Sequence, residues 1–206
     1  MSQTNSEPKS LLAIAGAPLH PSPLGKAALV LIDMQREYTD GALPLSGVET
    51  AVAEGVRLLT LARTAGVPVF HIVHHGKPGG LFDPEGPMGA IIPALAPAEG
   101  ESVIAKRLPN SFAGTDLHER ARATGRSELI VAGFMTHMCV SSTVRAALDL
   151  GWRTTVVAAA TATRDLPDPL SGPGGVTPAA AVHGATLTAL ADRFAVVVKD
   201  AGVWER

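Results

Sequence analysis

The sequence predicts an α/β protein with three α/β/α layers, in which helices cover both faces of a six-stranded, mostly parallel, Rossmann-like sheet. Six apolar runs lack the every-second-residue alternation of a half-exposed strand, so they predict strands that are buried on both faces. Segments with helical periodicity fill the gaps between these runs. Strands that alternate with helices are typical of a parallel sheet with helices on both sides.

The predicted elements follow one another along the chain. The strands are expected at 27–35, 67–75, 101–107, 128–134, 153–162 and 193–200. The helices are expected at 47–66, 115–125, 139–151 and 177–193. In the first helix the stripe Val52, Val56, Leu59 and Ala62 falls on one face, and Gly66 supplies a stop.

Composition predicts one domain over residues 1–206, with residues 1–26 as an N-terminal arm. The formal net charge is −2 and no block of Lys or Arg stands out, which argues against a nucleic-acid partner. The apolar stretch 10–19 faintly resembles a signal-peptide core, but no basic region precedes it and it is too short to span a membrane.

The Pro- and Gly-rich stretches 76–89 and 166–178 predict long surface loops that are suited to act as lids.

A single cysteine cannot form an internal disulfide, so we expect a reducing, cytoplasmic location.

Three chemistry-bearing side chains are predicted to share one edge of the sheet. Asp33 ends the first apolar run, Lys106 ends the third, and Cys139 follows the fourth at the start of a helix. In such sheets ligands bind beyond the carboxyl ends of the strands. Alone, these residues could be a cap, a surface charge and a core filler, but together they predict a functional site.

Three segments carry a resemblance to a known family: "LVLIDMQREY", "KRLPNSFAGTDL" and "VAGFMTHMCVSSTVRAALDLG". In this order they resemble the signature segments of the isochorismatase-like cysteine hydrolases, a superfamily that includes nicotinamidases and N-carbamoylsarcosine amidohydrolase. The resemblance extends from about residue 27 to residue 200. It implies a catalytic triad of Asp33, Lys106 and Cys139. It also implies a cis peptide bond between Phe134 and Met135, the latter an oxyanion-hole residue.

Two departures narrow the chemistry that the resemblance implies. True isochorismatases, as the family is generally described, cleave a vinyl ether without needing a cysteine at the position of Cys139, so hydrolysis of a carbon–nitrogen bond is favoured here. Nicotinamidases share a metal site of an Asp and several His after the second strand. In this chain His74 and His75 are adjacent, so their side chains diverge along a strand, and only Asp83 could fold back towards them. We therefore expect no metal and no cofactor. A further departure is Ala159, where related sequences often carry an acid.

The expected mechanism follows from what a thiol needs. A free thiol titrates near 8.5, and a nearby cation or a helix amino terminus favours the thiolate. Lys106 is expected to supply the cation and to lower the thiol pKa, and Asp33 to accept the proton and return it to the leaving amine. The backbone N–H groups of Met135 and Cys139 are expected to hold the oxyanion. His137 lies two residues before Cys139 and is not expected to contact the sulfur.

The substrate is expected to be a small amide-like molecule. Candidate pocket residues are Tyr38, Phe112 and Met135, and a neighbouring subunit of a homo-oligomer is expected to complete the pocket. The glycine-flanked elbow of an α/β-hydrolase and the glycine fingerprint of a dinucleotide-binding domain are both missing. The alternatives that stay open are vinyl ether hydrolysis and a non-catalytic protein with an inert thiol.

Overall fold

The sheet contains six strands, and every pairing between neighbours is parallel. The computed structural model describes residues 7–205, so the first six residues of the predicted arm lie outside the described part of the chain. The strands in chain order are β1 Ala27–Ile32, β2 Val69–His74, β3 Ser102–Lys106, β4 Glu128–Phe134, β5 Arg153–Ala162, β6 Leu166–Pro167, β7 Val176–Thr177 and β8 Val196–Val198. The order in space is β3-β2-β1-β4-β5-β8, while β6 and β7 form a separate pair.

The helices surround this sheet. They are α1 Leu11–Ile14, α2 Val48–Thr64, α3 Leu117–Ala123, α4 Ser141–Asp149 and α5 Ala179–Arg193. A π-helical turn over Thr136–Val140 leads into α4. Short 3-10 turns lie at Leu24–Lys26, Arg36–Tyr38, Pro87–Gly89, Pro93–Leu95 and Ala201–Trp204.

The strand β1 is buried on both faces, and its alternate residues enter two separate cores. Leu29 and Leu31 pack with the buried side of α2. Val30 and Ile32 pack with residues of α3, α4 and α5 on the opposite face. Because both faces are covered, the strand reads as a continuous apolar run, and the predicted three-layer α/β/α fold with a six-stranded parallel sheet is confirmed.

Two predicted elements differ in detail. The first strand ends at Ile32 rather than at residue 35, because Asp33 takes a positive φ of 50°, which lies outside the β region. The stripe of α2 that faces the core contains Val48, Ala51, Gly55, Leu58, Leu59 and Ala62, so the predicted members Val52 and Val56 are only partly buried. Gly55 leaves room for the Met34 side chain, which lies 3.1 Å from a Cβ built at that position.

The predicted loop at 166–178 contains regular structure. Leu166 pairs with Thr177 and Pro167 with Val176 in an antiparallel hairpin. The predicted arm contains the short helix α1, whose Leu11 N–H donates to Asp192 on α5 at 2.8 Å. No side chain of α1 is buried.

The strand order places a reversal at β1. The chain builds outward from β1 through β2 to β3 and then returns to form β4 on the other side of β1. Ligands of doubly wound sheets bind at such a reversal, beyond the carboxyl ends of the strands. Over residues 7–205, no helix has the length and apolarity needed to cross a membrane.

Candidate active site

Asp33 follows β1 directly and is completely buried. Its N–H donates to the carbonyl of Ile72 at 2.9 Å, and its own carbonyl accepts from Gln35 N–H at 2.8 Å. The chain turns here with a φ of 50°, a conformation that Asp tolerates better than most residues other than glycine. The turn directs the carboxylate into the space beyond the ends of the strands.

Lys106 is the last residue of β3, and its ammonium group has three acceptors. Nζ lies 2.6 Å from Asp33 Oδ2, 3.3 Å from Cys139 Sγ and 3.4 Å from His74 Nδ1. An ammonium carries three N–H donors, so these contacts match its full capacity. The structure therefore brings together the acid, base and thiol that the sequence places at the carboxyl ends of three different strands.

Cys139 lies in the π-helical turn that connects β4 to α4, and only 6% of its surface is exposed. The peptide bond between Phe134 and Met135, which opens this turn, is cis. The carbonyl of Met135 accepts from the N–H groups of Met138 at 3.0 Å and Val140 at 3.3 Å. Met135, which sequence analysis expects to contribute to the oxyanion hole, is itself buried.

The neighbours of the thiol have opposing effects on its pKa. Burial and the Asp33 carboxylate raise the pKa of Cys139, while the Lys106 ammonium lowers it, and the net direction is upward. Lys106 thus acts in the expected direction but is outweighed, because a thiolate would be desolvated beside a carboxylate. Burial also raises the pKa of Asp33, and Lys106 opposes this rise. The raised pKa of Cys139 therefore favours a neutral thiol at rest, beside the close contact between Lys106 and Asp33.

One oxygen of Asp33 is left available. Among residues 7–205, Asp33 Oδ1 has no hydrogen-bond partner, while Oδ2 receives Lys106. The Cys139 thiol is close enough for each group to alter the pKa of the other. A buried carboxylate oxygen without a donor is suited to accept a proton from a thiol or a water molecule.

The three expected pocket residues lie in different surroundings. Tyr38 is buried and packs on Phe82 and Phe134, with ring centroids 5.0 and 5.6 Å away. Burial, followed by the Asp33 and Cys139 charges, raises the pKa of Tyr38. Met135 is also buried. Phe112 instead faces His118 at 6.4 Å and lines a surface cavity that none of Asp33, Lys106 and Cys139 lines, so its pocket role stays a prediction.

Gln35 is a supporting residue that sequence analysis did not identify. Its completely buried side-chain amide donates to the carbonyls of His74 at 3.0 Å and Gly89 at 2.7 Å, and its oxygen accepts from His74 N–H at 2.8 Å. These bonds join the end of β2 to the loop over 76–89. A glutamine two residues after a strand-terminal acid was the available signal, but its partners are 39 and 54 residues away.

Two threonine–histidine contacts anchor the π-helical turn that contains Cys139. Thr136 Oγ1 lies 3.0 Å from His183 Nδ1 on α5, and His137 Nδ1 lies 2.6 Å from Thr163 Oγ1 just after β5. Burial lowers the pKa of both histidines, and for His137 the Arg164 charge adds to this effect. Within the described residues, no hydrogen bond joins His137 to Cys139, so its ring supports the turn instead.

Arg164 brings a cation close to the same edge of the sheet. Its charge lowers the pKa of His137 and opposes the rise in the pKa of Tyr38. Its Nε is buried without a hydrogen-bond partner among residues 7–205, while Nη1 donates to the Asp165 carbonyl at 3.1 Å. Sequence analysis did not identify Arg164, although its place two residues after the fifth apolar run was a usable signal.

The side chains of His74 and His75, at the end of β2, do not meet that of Asp83 at a common point. His74 Nδ1 faces Lys106, and the Asp83 carboxylate accepts from the N–H groups of Gly79 at 2.8 Å and Glu85 at 3.0 Å within its own loop. Over the described range 7–205, no group of three or more His, Cys, Asp or Glu side chains is arranged to hold a metal ion. Ala159 lies where the pairing of β5 with β4 is irregular, beside a cavity of about 570 Å³ that His183 and Lys199 also line.

Comparisons with known proteins identify the family and the fold. A family model described as the isochorismatase domain matches residues 27–201. A crystal structure of an isochorismatase from Pseudomonas putida KT2440 superposes with a TM-score of 0.89 at 47% identity, covering 95% of this chain and 98% of the other. The family resemblance expected from the sequence is thereby confirmed.

Two curated relatives extend the comparison. A secreted isochorismatase effector of Verticillium dahliae is 35% identical over 190 residues, which cover 92% of this chain and 96% of the relative. A maleamate amidohydrolase of Pseudomonas putida is 32% identical over 149 residues, which cover 64% of this chain and 70% of the relative.

Proposed function

Because this chain belongs to the isochorismatase family of hydrolases, we propose that it hydrolyses a carbon–nitrogen bond in a small amide, imide or ureido compound, with Cys139 as the covalent nucleophile. The observation that carries the proposal is the contact of one buried ammonium, that of Lys106, with both the Asp33 carboxylate and the Cys139 sulfur. The maleamate amidohydrolase, whose name specifies an amide substrate, supports the choice of bond.

The first half of the reaction forms a thioester. Asp33 takes the proton of the neutral thiol as the Cys139 sulfur attacks the carbonyl carbon, because a thiol with a raised pKa needs a base at the moment of attack. The developing oxyanion accepts hydrogen bonds from the N–H groups of Met135 and Cys139. The carbon–nitrogen bond then breaks, the nitrogen leaves with the proton held by Asp33, and the acyl group remains on sulfur.

The second half releases the acid. A water molecule gives a proton to Asp33 as its oxygen attacks the thioester carbonyl. Collapse of this second tetrahedral species breaks the carbon–sulfur bond, and the proton returns to sulfur. Lys106 stays charged throughout and compensates the negative charge that moves between carboxylate, sulfur and oxyanion. No metal and no cofactor takes part in this scheme.

We also propose the setting in which the reaction occurs. The substrate is a small molecule in a pocket formed by Tyr38, Met135 and Phe112, with a neighbouring subunit of a homo-oligomer closing it. No nucleic acid or membrane is a partner, which the net charge of −2 supports. The proposed cytoplasmic location is supported by the single cysteine. Cell fractionation tests this location, since one relative is named as a secreted protein.

A substrate panel tests the proposed reaction. Amides, imides and ureido compounds are screened for ammonia or amine release by wild type, by Cys139→Ala and by the matched control Ser142→Ala in the next helix. We expect release by wild type and the control but none by Cys139→Ala, which keeps its fold because it loses only a small volume. Mass spectrometry of a rapid acid quench is expected to detect the acyl group on the peptide with Cys139.

Other outcomes decide against the proposal. Equal turnover by Cys139→Ala contradicts the covalent mechanism. Pyruvate release from isochorismate, with every nitrogen compound inert, favours vinyl ether hydrolysis instead. A thiol inert to iodoacetamide in a protein without hydrolysis favours a non-catalytic role. Loss of activity on treatment with EDTA or dipicolinate, restored by zinc or iron, contradicts the metal-free scheme.

A further inference from the structure

We infer that His74 is a positioning residue for the reaction, because it supplies the third acceptor that holds the Lys106 ammonium between Asp33 and Cys139. The contact that carries this inference joins His74 Nδ1 to Lys106 Nζ at 3.4 Å. His74 contacts neither the sulfur nor the carboxylate within hydrogen-bond distance, so it acts through Lys106. The inference rests on the proposed function, since it assigns His74 a part in the same site.

The ammonium needs three acceptors because it is buried. Only 2% of Lys106 is exposed, and its three N–H donors have Asp33 Oδ2, Cys139 Sγ and His74 Nδ1 within reach. A buried N–H group without a partner is costly, because water no longer compensates it. Without His74, the ammonium has one donor unsatisfied and is free to turn away from the sulfur.

In the proposed reaction, the acceptor that His74 supplies becomes more important after the thiol proton has moved to Asp33. Asp33 becomes neutral when it takes the thiol proton, and the sulfur becomes a weak acceptor once it carries the acyl group. Both of the other contacts to Lys106 therefore weaken in the course of one turnover. His74 is the acceptor whose protonation state the reaction leaves unchanged, so it keeps the ammonium in place until water attacks.

The surroundings of His74 keep its ring neutral and in place. The Gln35 side chain hydrogen-bonds to both the backbone N–H and the backbone carbonyl of His74. The His74 ring packs edge-on against Phe82, with ring centroids 5.4 Å apart. Burial and the neighbouring charges of Lys106, His75 and Arg107 lower the pKa of His74 to about 4. A neutral imidazole has one acceptor nitrogen, which the contact with an ammonium assigns to Nδ1.

Strand register explains why His74 rather than His75 takes this part. His74 pairs directly with Lys106 across β2 and β3, so their side chains share one face of the sheet. His75 donates its backbone N–H to the Lys106 carbonyl at 2.9 Å, and its ring makes no hydrogen bond to Lys106 Nζ within the described residues. His75 is therefore a matched control of the same residue type.

The test compares an acceptor with an apolar side chain of the same length. His74→Gln keeps an oxygen acceptor, His74→Met lacks a strong one, and His75→Met is the control. For each variant, kcat and KM are measured on the substrate found in the panel, and the rate of Cys139 alkylation by iodoacetamide is measured against pH. Should His74→Met not fold, the pair His74→Asn and His74→Leu gives the same comparison.

We expect His74→Met to lower kcat at least tenfold with KM changed less than twofold, and to raise the pH midpoint of alkylation. His74→Gln is expected to keep kcat and the alkylation midpoint close to the wild-type values, and His75→Met is expected to equal wild type in both. In a Lys106→Met background, His74→Met causes no further fall in alkylation rate. Equal losses in His74→Gln and His74→Met, or an undiminished loss in the Lys106→Met background, overturn the inference. Alkylation needs no substrate, so it reports on His74 even if Cys139→Ala retains hydrolysis and the proposed function fails.

Discussion

The Lys106 ammonium and the Asp33 carboxylate lie 2.6 Å apart, and both side chains are completely shielded from solvent. Removing one partner of such a pair leaves a buried charge uncompensated, at a cost of about 3–5 kcal/mol. We expect Lys106→Met to lower the free energy of unfolding by about 3 kcal/mol and the double variant Asp33→Asn with Lys106→Met to recover part of this loss. Urea unfolding followed by circular dichroism measures both.

The exposed pair Arg36 and Asp40 is the control for that experiment, and Arg36→Ala is expected to leave the unfolding midpoint nearly unchanged. If the double variant is as unstable as the sum of the two single variants, Asp33 and Lys106 do not compensate each other.

The titration of Cys139 distinguishes the influence of its two charged neighbours. Because the Asp33 carboxylate raises the pKa of Cys139 and the Lys106 ammonium lowers it, Asp33→Asn is expected to lower the alkylation midpoint and Lys106→Ala to raise it. The ultraviolet absorbance of the thiolate is followed in parallel, because either variant alters access to the sulfur. The pH midpoint of alkylation reports the coupled titration of Cys139 and Asp33 rather than the pKa of one residue. Midpoints that stay at the wild-type value in both variants contradict the proposed triad.

Gly133 allows β4 to pass close to β1 beside the site. Its φ is 123°, and a Cβ at this position meets the Ile32 carbonyl oxygen at 2.0 Å. We expect Gly133→Ala to destabilise the protein by more than about 3 kcal/mol, since backbone cannot move aside as a flexible side chain does. In the control Gly184→Ala, within α5, a Cβ meets nothing within 4 Å, and a gain of about 0.5–1 kcal/mol is expected. Similar melting temperatures for both variants contradict this interpretation.

One buried and three half-buried histidines are expected to make stability depend on pH. Burial lowers the pKa values of His71, His74, His137 and His183 in the folded state. Below about pH 6.5 the unfolded chain binds protons that the folded chain does not, so stability falls as the pH drops towards these lowered values. Asp33, whose pKa is raised, acts in the opposite direction.

Comparison with His183→Gln isolates the histidine contribution, because this variant keeps Asp33 and retains a partner for Thr136. We expect wild type to lose more unfolding free energy than His183→Gln between pH 7 and pH 5, measured by urea titration at each pH. Parallel losses in the two proteins indicate that His183 titrates normally in the folded state.

The sequence by itself determined the layers and the members of the site. Continuous apolar runs require strands that are buried on both faces, and the residue that ends each run must then lie at the carboxyl edge of the sheet. This reasoning reached Asp33, Lys106 and Cys139 because each adjoins such a run. It reached β4 and β5 residue by residue, since burial on both faces leaves a strong pattern, but it extended β1 three residues too far.

The tertiary structure alone decided how these residues meet. Strand β2 lies between β1 and β3. Because of this order, His74 contacts Lys106 on one side and hydrogen-bonds to the Gln35 side chain on the other. Periodicity along the chain carries no information on strand order or register, so partners 30 or more residues apart stay invisible to it. Sequence analysis expected Lys106 to lower the pKa of Cys139, but the net direction is upward, because this pKa depends on burial and on the distances to two opposite charges, which only the tertiary structure sets.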